Sequence, residues 1–420
     1  HTRSPMKTTK VIIVGAGLAG LSAAHELTKN PTFKVHIFEK NKEVGGRTRT
    51  EKIAGHAVDF GGFLIYPWYK HFHKLIDDLK CKNQLQPIPQ SKILYDLDRD
   101  GEIQAEKNLK PSWKEITKLA IKLLPHIILD HDPTFPHLKS FENLSVKKYL
   151  KTLNLGKQKE HFYEKLIDTI AQGYCYGSIE DFKMTFLGPI IRQTLLHGDI
   201  HDASYFPDGI QIFTEKLKKS IISKGGIFHL NTTMLHTKKQ AIFTTKGNFS
   251  GDAIIFAHPP AQVKYTEFIT ATVEFKKPIQ LDKDNQWGAC FFRDNHQFEN
   301  PILSAINLKE LYSKELNHYL NINIKIRNPK KTYTNETELF KTILPQLKAK
   351  FPDAHPYRII KIVHWSKAMP ITQETFVEKT RIKQGEKNHY YAGDFLGCPS
   401  METALMSGKR RAEAIKLSYS

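Results

Sequence analysis

Near the start of the chain the spacing of apolar residues changes period three times. Val11, Ile12, Ile13 and Val14 form an unbroken β-branched run, which predicts a strand buried on both faces. Leu18 to Lys29 has helical spacing, and Val35 to Phe38 is a second short apolar run. The pattern predicts strand, helix and parallel strand in succession, the opening of an α/β fold. Helical spacing returns over His71 to Leu79, Ser145 to His197, Gln211 to Ser223 and Glu336 to Phe351. Gln172-Gly173-Tyr174-Cys175-Tyr176-Gly177 interrupts the second of these, either as pocket lining or as a buried turn between helices. Strand-like pieces occupy Ile227 to Leu230, Met234 to His236, Ala241 to Thr244, Ala253 to Ala257, Thr272 to Phe275 and Leu320 to Ile326, with a short hairpin around Leu94 to Ile103. At 420 residues the chain exceeds one compact core, so two domains are expected.

Between the first strand and the helix stands Gly15-Ala16-Gly17-Leu18-Ala19-Gly20. A dinucleotide needs each glycine for a different reason: Gly15 for the tight turn, Gly17 so that a pyrophosphate reaches the backbone, and Gly20 so that helix and strand pack closely. The helix opening at Leu18 and Ala19 points its N-terminal amides and positive end at the phosphates. Glu39 ends the second strand nineteen residues after Gly20, with Lys40 behind it. An acid there accepts a ribose 2′-hydroxyl and repels a 2′-phosphate, so NADP is disfavoured. Strand, glycines, helix and acid come in the order the motif requires.

Two more glycine pairs follow, in Glu43-Val44-Gly45-Gly46-Arg47 and Val58-Asp59-Phe60-Gly61-Gly62. The end of the chain carries Tyr390-Tyr391-Ala392-Gly393-Asp394-Phe395 and Pro399-Ser400-Met401-Glu402-Thr403-Ala404. In these motifs the chain resembles the flavin-containing amine oxidoreductase superfamily, which includes monoamine and amino-acid oxidases, protoporphyrinogen oxidase, phytoene and squalene-type desaturases and fatty-acid isomerases. The resemblance implies a Rossmann-like FAD-binding domain of residues 6–95, 205–262 and 361–418, with a discontinuous mixed α+β substrate domain of 96–204 and 263–360. It implies that Gly45, Gly46 and Arg47 lie along the pyrophosphate and ribityl chain, Gly61, Gly62 and Phe63 near the flavin ring, and Thr233 and Met234 near the adenine. Gly393 and Asp394 fall beside the ribityl or pyrophosphate groups, and Ser400, Met401 and Ala404 at a helix start facing the ring. Thr403 departs from the glycine usual in the family. Tyr205 to Ile210 is similar to the segment that re-enters the cofactor domain, and Ala253 to Pro260 to the strand that closes it.

Hydride removal by flavin needs an apolar, water-poor cavity and little acid-base help, so no catalytic residue stands out. Amine oxidases of the family set two aromatic rings before the flavin; the matching position of the last motif is Ser400, which leaves the cage incomplete. Trp365, in His364-Trp365-Ser366-Lys367-Ala368-Met369-Pro370, is similar to the tryptophan segment preceding that motif and either stacks near the ring or fills the core. That segment has no cysteine, so noncovalent FAD is expected. No second glycine-rich cradle offers a nicotinamide site, which leaves dioxygen, a quinone or the substrate itself to take the electrons back. The leading expectation is a FAD-dependent oxidoreductase that dehydrogenates or isomerises an apolar, lipid or isoprenoid-like substrate. An amine or amino-acid oxidase releasing hydrogen peroxide is the second, and a FAD-binding protein without turnover the third.

A net charge of +19, carried largely by lysine, fits an anionic partner or simply a well-solvated surface. Nucleic acid is not expected, because the lysines are dispersed and no base-reading motif occurs. Residues 112–129 are more informative. Ser112 and Glu115 form a capping box; Ile116, Leu119, Ala120, Leu123 and Leu124 make an apolar face, Lys114, Lys118 and Lys122 a basic one, and Pro125 ends or kinks the helix. Such a helix packs on a core or lies on an acidic membrane surface. Cys81, Cys175, Cys290 and Cys398 form no C-x-x-C pair, and His71 and His73 do not share a helix face, so neither disulfide nor metal is expected. The setting implied is reducing and cytoplasmic, with peripheral membrane contact as an option. No apolar run is long enough to span a bilayer, and His1 to Pro5 read as a vector remnant before Met6, without an export signal.

Overall fold

The structure, a computed structural model, describes residues 8–97, 103–105, 144–154, 156–184, 200–281, 284, 286–294, 297–328, 333, 335–371 and 388–419. The first β-branched run is the middle strand, Thr9–Val14, of a five-stranded parallel sheet ordered His389–Tyr391, Ala253–Phe256, Thr9–Val14, Phe33–Phe38, Ile227–His229. Segments from the start, middle and end of the chain thus lie side by side. Side chains alternate across a strand. Val11 and Ile13 therefore join one core with Leu21, Ala24, Phe213 and Leu405, while Ile12 and Val14 join another with Phe38, Ile254 and Phe256. A three-stranded meander, Met234–Lys238, Ala241–Thr244 and Gly247–Ser250, covers that second face through Met234, Ile242 and Phe249. Both faces are covered, which is why the strand reads as a continuous apolar run.

Helices Leu18–Leu27, Gln211–Ser223 and Met401–Tyr419 cover the first face. The first and last approach closely because Gly408 has no side chain; a Cβ there would lie 2.0 Å from the Ala19 carbonyl oxygen. Helix Lys70–Asp78 takes its cap from elsewhere in the chain: the Glu402 carboxylate accepts the His71 and Phe72 N–H groups at 2.7 and 2.9 Å.

The second sheet has seven strands, in the order Pro356–Trp365, Phe268–Phe275, Tyr319–Lys325, Ile302–Asn307, Trp287–Phe292, Lys92–Asp96, Ile103–Ala105. Its pairs are antiparallel except Trp287–Phe292 with Lys92–Asp96, which run parallel. Helix Glu336–Lys350, capped by Asn335, packs Leu339, Ile343 and Leu347 on one face. Helix Lys157–Cys175 packs Phe162, Leu166 and Ile170 against Ile93, Tyr95 and Phe291 on the other.

Two elements differ from the pattern-based expectation. The helix does not break at Gln172 but runs to Cys175, because Gly173 serves contact and not a turn; a Cβ there would lie 2.2 Å from the Phe291 ring. Its end comes at Tyr176, in the left-handed region at φ 62°. The strand expected at Thr272 begins at Phe268, paired on both edges. The basic amphipathic helix of residues 112–129 lies outside the described residues. Among the described residues no helix is long and apolar enough to cross a membrane.

Candidate functional site

Gly15 turns the chain at φ 105°, and a Cβ on it would lie 2.6 Å from the Ala257 carbonyl oxygen. At Gly20 the corresponding distance, to the Gly15 carbonyl oxygen, is 1.9 Å. Gly17 differs from both: the nearest atom to its Cβ position is the Gly46 Cα at 3.9 Å, so the space above the turn is open. The helix starts there with no side-chain cap and no acid in its first turn. An uncapped helix start with an open glycine in front of it suits a phosphate.

At the neighbouring strand end, buried Glu39 accepts the Ala16 N–H on one oxygen (2.8 Å) and the Asn41 N–H on the other (3.0 Å). These bonds fix the carboxylate beside the turn while each oxygen keeps a second lone pair. Thr232 donates its N–H to the Glu39 carbonyl at 2.8 Å, which brings the loop before Met234 to the same end; Lys40 is exposed.

The second glycine turn locks onto the first. The Gly45 N–H donates to the Ala16 carbonyl at 2.8 Å, and a Cβ on Gly46 would lie 3.1 Å from the Gly17 Cα. Arg47, expected along the cofactor, sends its guanidinium to Asp394 at 2.6 Å and to the Ala368 carbonyl oxygen. One fork thus ties the second glycine segment, the C-terminal motif and the turn that follows strand Pro356–Trp365. Gly61 fits under the Arg47 carbonyl, where a Cβ would come within 1.8 Å, and the Trp365 ring closes the other side at 3.3 Å. Trp365 donates Nε1–H to Thr270 at 3.2 Å. Gly62 is exposed and faces Met401, whose sulfur lies 3.5 Å from its Cβ position; Phe63 is half-buried. Gly393 is anchored by its N–H on the Ser407 hydroxyl at 2.8 Å.

Ser400 Oγ accepts the Thr403 N–H at 3.0 Å, and the Ser400 carbonyl accepts the Ala404 N–H, so Ser400 caps the last helix. The Thr403 hydroxyl donates to the Cys398 carbonyl, closing the loop with a side chain. Ser400→Ala is expected to lower stability by about 1 kcal/mol, read as a fall in Tm; an unchanged Tm would show that the cap carries nothing.

Three features escaped the sequence reading. Tyr66 and Tyr174 meet hydroxyl to hydroxyl at 3.2 Å, joining the segment after Gly62 to the helix on the second sheet. Asp59 is buried at 4% exposure; its Oδ1 accepts from the Thr50 hydroxyl (2.6 Å) and the Ile210 N–H (3.0 Å), beneath the Gly61 loop. His258 stands beside Gly15. Asp59 stands in Val58-Asp59-Phe60-Gly61-Gly62, and a carboxylate between two apolar residues is the local sign of it.

Known proteins resemble the chain in sequence over short stretches and in shape over nearly its whole length. Over 72 residues the chain is 39% identical to prenylcysteine oxidase 1 of Rattus norvegicus, a stretch that makes up 17% of this chain and 14% of that protein. The chain therefore spans only a small part of that relative's length. In shape it is similar to a CLA-producing fatty acid isomerase from P. acnes, with a TM-score of 0.76 at 14% identity over 98% of this chain and 99% of that one. It is similar also to cyclohexylamine oxidase from Brevibacterium oxydans, with a TM-score of 0.68 at 16% identity over 98% and 99% of the two chains. Residues 18–289 match the family model for flavin containing amine oxidoreductases, from helix Leu18–Leu27 to strand Trp287–Phe292 of the seven-stranded sheet, well over half of the chain, and the chain belongs to that family.

Proposed function

We propose that the chain binds FAD noncovalently and uses it to take a hydride from an apolar, lipid or isoprenoid-like substrate, in a dehydrogenation or an isomerisation. Ser400 carries this reading. Where amine oxidases of the family have a ring to face an amine, this chain has a hydroxyl already engaged in capping a helix.

The residues fit the cofactor. Glu39 would accept ribose hydroxyls, the uncapped helix start behind Gly17 would receive the pyrophosphate, and Met234 would border the adenine. Gly45, Gly46, Arg47, Gly393 and Asp394 would flank the ribityl chain, with Gly61, Gly62, Met401, Ala404 and Trp365 around the ring. Bound there, flavin supplies the hydride acceptor. The chain's own part is to exclude water and orient. Tyr176 stacks on Phe268 with centroids 3.4 Å apart, and Phe268 lies 6.3 Å from Trp365. These rings and the Tyr66–Tyr174 pair would wall an apolar cavity between the parallel sheet, which holds the cofactor, and the seven-stranded sheet, which covers the substrate. Burial pushes the Cys398 thiol up to about 12 and the Cys175 thiol up as well, which disfavours the thiolate that a covalent flavin link needs.

One set of measurements tests the reading. Acid precipitation of the purified protein should leave flavin in the supernatant, and under anaerobic conditions apolar lipids should bleach the bound flavin while simple alkyl and aryl amines do not. Rapid bleaching by a micromolar amine would make the protein an amine oxidase instead; flavin fluorescence in the pellet would refute noncovalent binding.

A further inference from the structure

We propose that Thr270 is a positioning residue for the flavin face: its hydroxyl sets the tilt of the Trp365 indole against the Gly61–Gly62 loop, an inference that rests on the flavin reading above. The basis is a row of buried polar side chains on the seven-stranded sheet. Side chains alternate between the faces of a strand. Ile269, Ala271 and Val273, with Leu320, Ile322 and Ile324, join the core built on helix Glu336–Lys350. The other face carries Thr270, Asn323 and Ser304, which stand directly opposite one another on three neighbouring strands. They are 2%, 5% and 1% exposed, so water satisfies none of their polar atoms.

The row forms one directed chain of hydrogen bonds. Its two ends fix the direction, because an indole N–H only donates and a carbonyl only accepts. Trp365 donates to the Thr270 hydroxyl oxygen at 3.2 Å, and Thr270 donates its own hydrogen to Asn323 Oδ1 at 2.9 Å. Asn323 Nδ2 donates to Ser304 Oγ at 2.9 Å, and Ser304 donates to the Gly173 carbonyl at 3.2 Å. With the amide turned over, the one Ser304 hydrogen would face two acceptors, so a single arrangement satisfies every link. The chain runs from the helix Lys157–Cys175 to the Trp365 ring and leaves that ring one orientation.

Holding the sheet together does not require such a row. Buried polar groups cost free energy unless each is paired, and apolar side chains of the same shape would pack the strands without that demand. What the hydroxyls and the amide add is direction, and it is delivered at Gly61. The Trp365 Cη2 lies 3.3 Å from the Gly61 Cβ position, while the Arg47 carbonyl oxygen closes the other side at 1.8 Å. Thr270 Oγ1 also lies 3.2 Å from the Phe60 carbonyl oxygen, one residue earlier. Gly61 is thus wedged between the indole and backbone, and a turn of the indole shifts the loop. The next residue, Gly62, is exposed, on the side where the flavin ring is expected.

The test compares wild type, Thr270→Val, Thr270→Ser, Trp365→Phe and the double variant Thr270→Val with Trp365→Phe. FAD is titrated into each flavin-free full chain, with the absorption bands of the bound flavin and its Kd as readouts. Exchange of the Trp365 indole N–H, followed by NMR without flavin, reports the hydrogen bond by itself. Thr270→Val keeps the shape and loses the hydroxyl; it should fold, exchange the indole hydrogen faster, shift the flavin bands and raise Kd severalfold. Thr270→Ser should restore all three, which a loss of packing alone would not explain. In the Trp365→Phe background the valine substitution should add little, because its effect passes through the indole. Should Thr270→Val not fold, Thr270→Ala replaces it under the same criteria. Wild-type bands and Kd in the folded variant would overturn the proposal. So would an effect of full size in the Trp365→Phe background, which would assign Thr270 to the Phe60 carbonyl or to general stability. Failure of wild type to bind FAD would remove the flavin reading itself, and this proposal with it.

Discussion

Gly17→Ala is expected to fold like the parent protein and to lose its flavin, whereas Gly20→Ala, three residues on, should lose the fold of the turn itself. The glycines look alike in the motif but meet different surroundings. A Cβ on Gly20 would lie 1.9 Å from the Gly15 carbonyl oxygen, 3.1 Å from its carbon and 3.2 Å from the Ala257 Cβ. The first two are backbone atoms that cannot rotate aside, so the helix must move off the strand. Overpacking of a core costs roughly 1–3 kcal/mol when side chains can shift, and a backbone clash stands at or above that range, on the order of 3–5 kcal/mol. Gly17 has φ −73°, where alanine is comfortable, and its Cβ position has nothing closer than 3.9 Å. What a methyl group would fill at Gly17 is the space assigned to the pyrophosphate. Thermal unfolding and flavin content separate the cases: Gly17→Ala should keep its Tm without flavin and come out colourless, and Gly20→Ala should melt well below it. A yellow Gly17→Ala protein would mean that the pyrophosphate runs elsewhere.

How much of this was visible beforehand depended on the range of the interaction. The unbroken run Val11 to Val14 reports burial on both faces because each residue carries its own apolar side chain, and the helix Gln211–Ser223 coincides with its periodic stretch. The spacing from Gly20 to Glu39 is set by one β-α-β unit, and the carboxylate does reach the turn. Contacts between distant segments left no such trace. Lys92–Asp96 reads as half of a hairpin, and it does pair with Ile103–Ala105, but nothing local announces its parallel partner Trp287–Phe292. Arg47 after two glycines suggests a phosphate ligand, and only the fold brings Asp394 and Ala368 to its guanidinium. Gly173 reads equally as pocket lining or as part of a turn, while the reason for it, the ring of Phe291, belongs to another element. Glycine says that a side chain is unaffordable without saying what stands in its way.

Asp59→Asn is expected to be the more stable protein above pH 7 and to remove part of the dependence of stability on pH. Burial raises the Asp59 carboxyl to about 7 from its ordinary value of 3.8, against bonds from Thr50, Ile210 and Tyr312 that favour the ionised form. Between those two values the folded protein holds a proton that the unfolded chain has released. The stability contributed by Asp59 is therefore complete below pH 4, falls as pH rises towards 7, and stays low above. At about 1.4 kcal/mol per pH unit the loss is at most on the order of 4–5 kcal/mol. Asparagine keeps the oxygen that accepts from Thr50 and Ile210, at 2.6 and 3.0 Å in the parent. It weakens only the longer contact from the Tyr312 hydroxyl, 3.5 Å from Oδ2, for about 1 kcal/mol. His25 and His71 act in the opposite sense. Burial holds each at about 4, so both contribute stability that rises with pH up to the ordinary histidine value near 6.5. The wild-type profile mixes these slopes, and the difference between Asp59→Asn and wild type isolates the carboxylate. Thermal unfolding at pH 5, 6, 7 and 8 should show that difference growing in favour of the variant by a few kcal/mol. A constant difference across the series would mean that Asp59 is ionised throughout and that its three partners outweigh its burial.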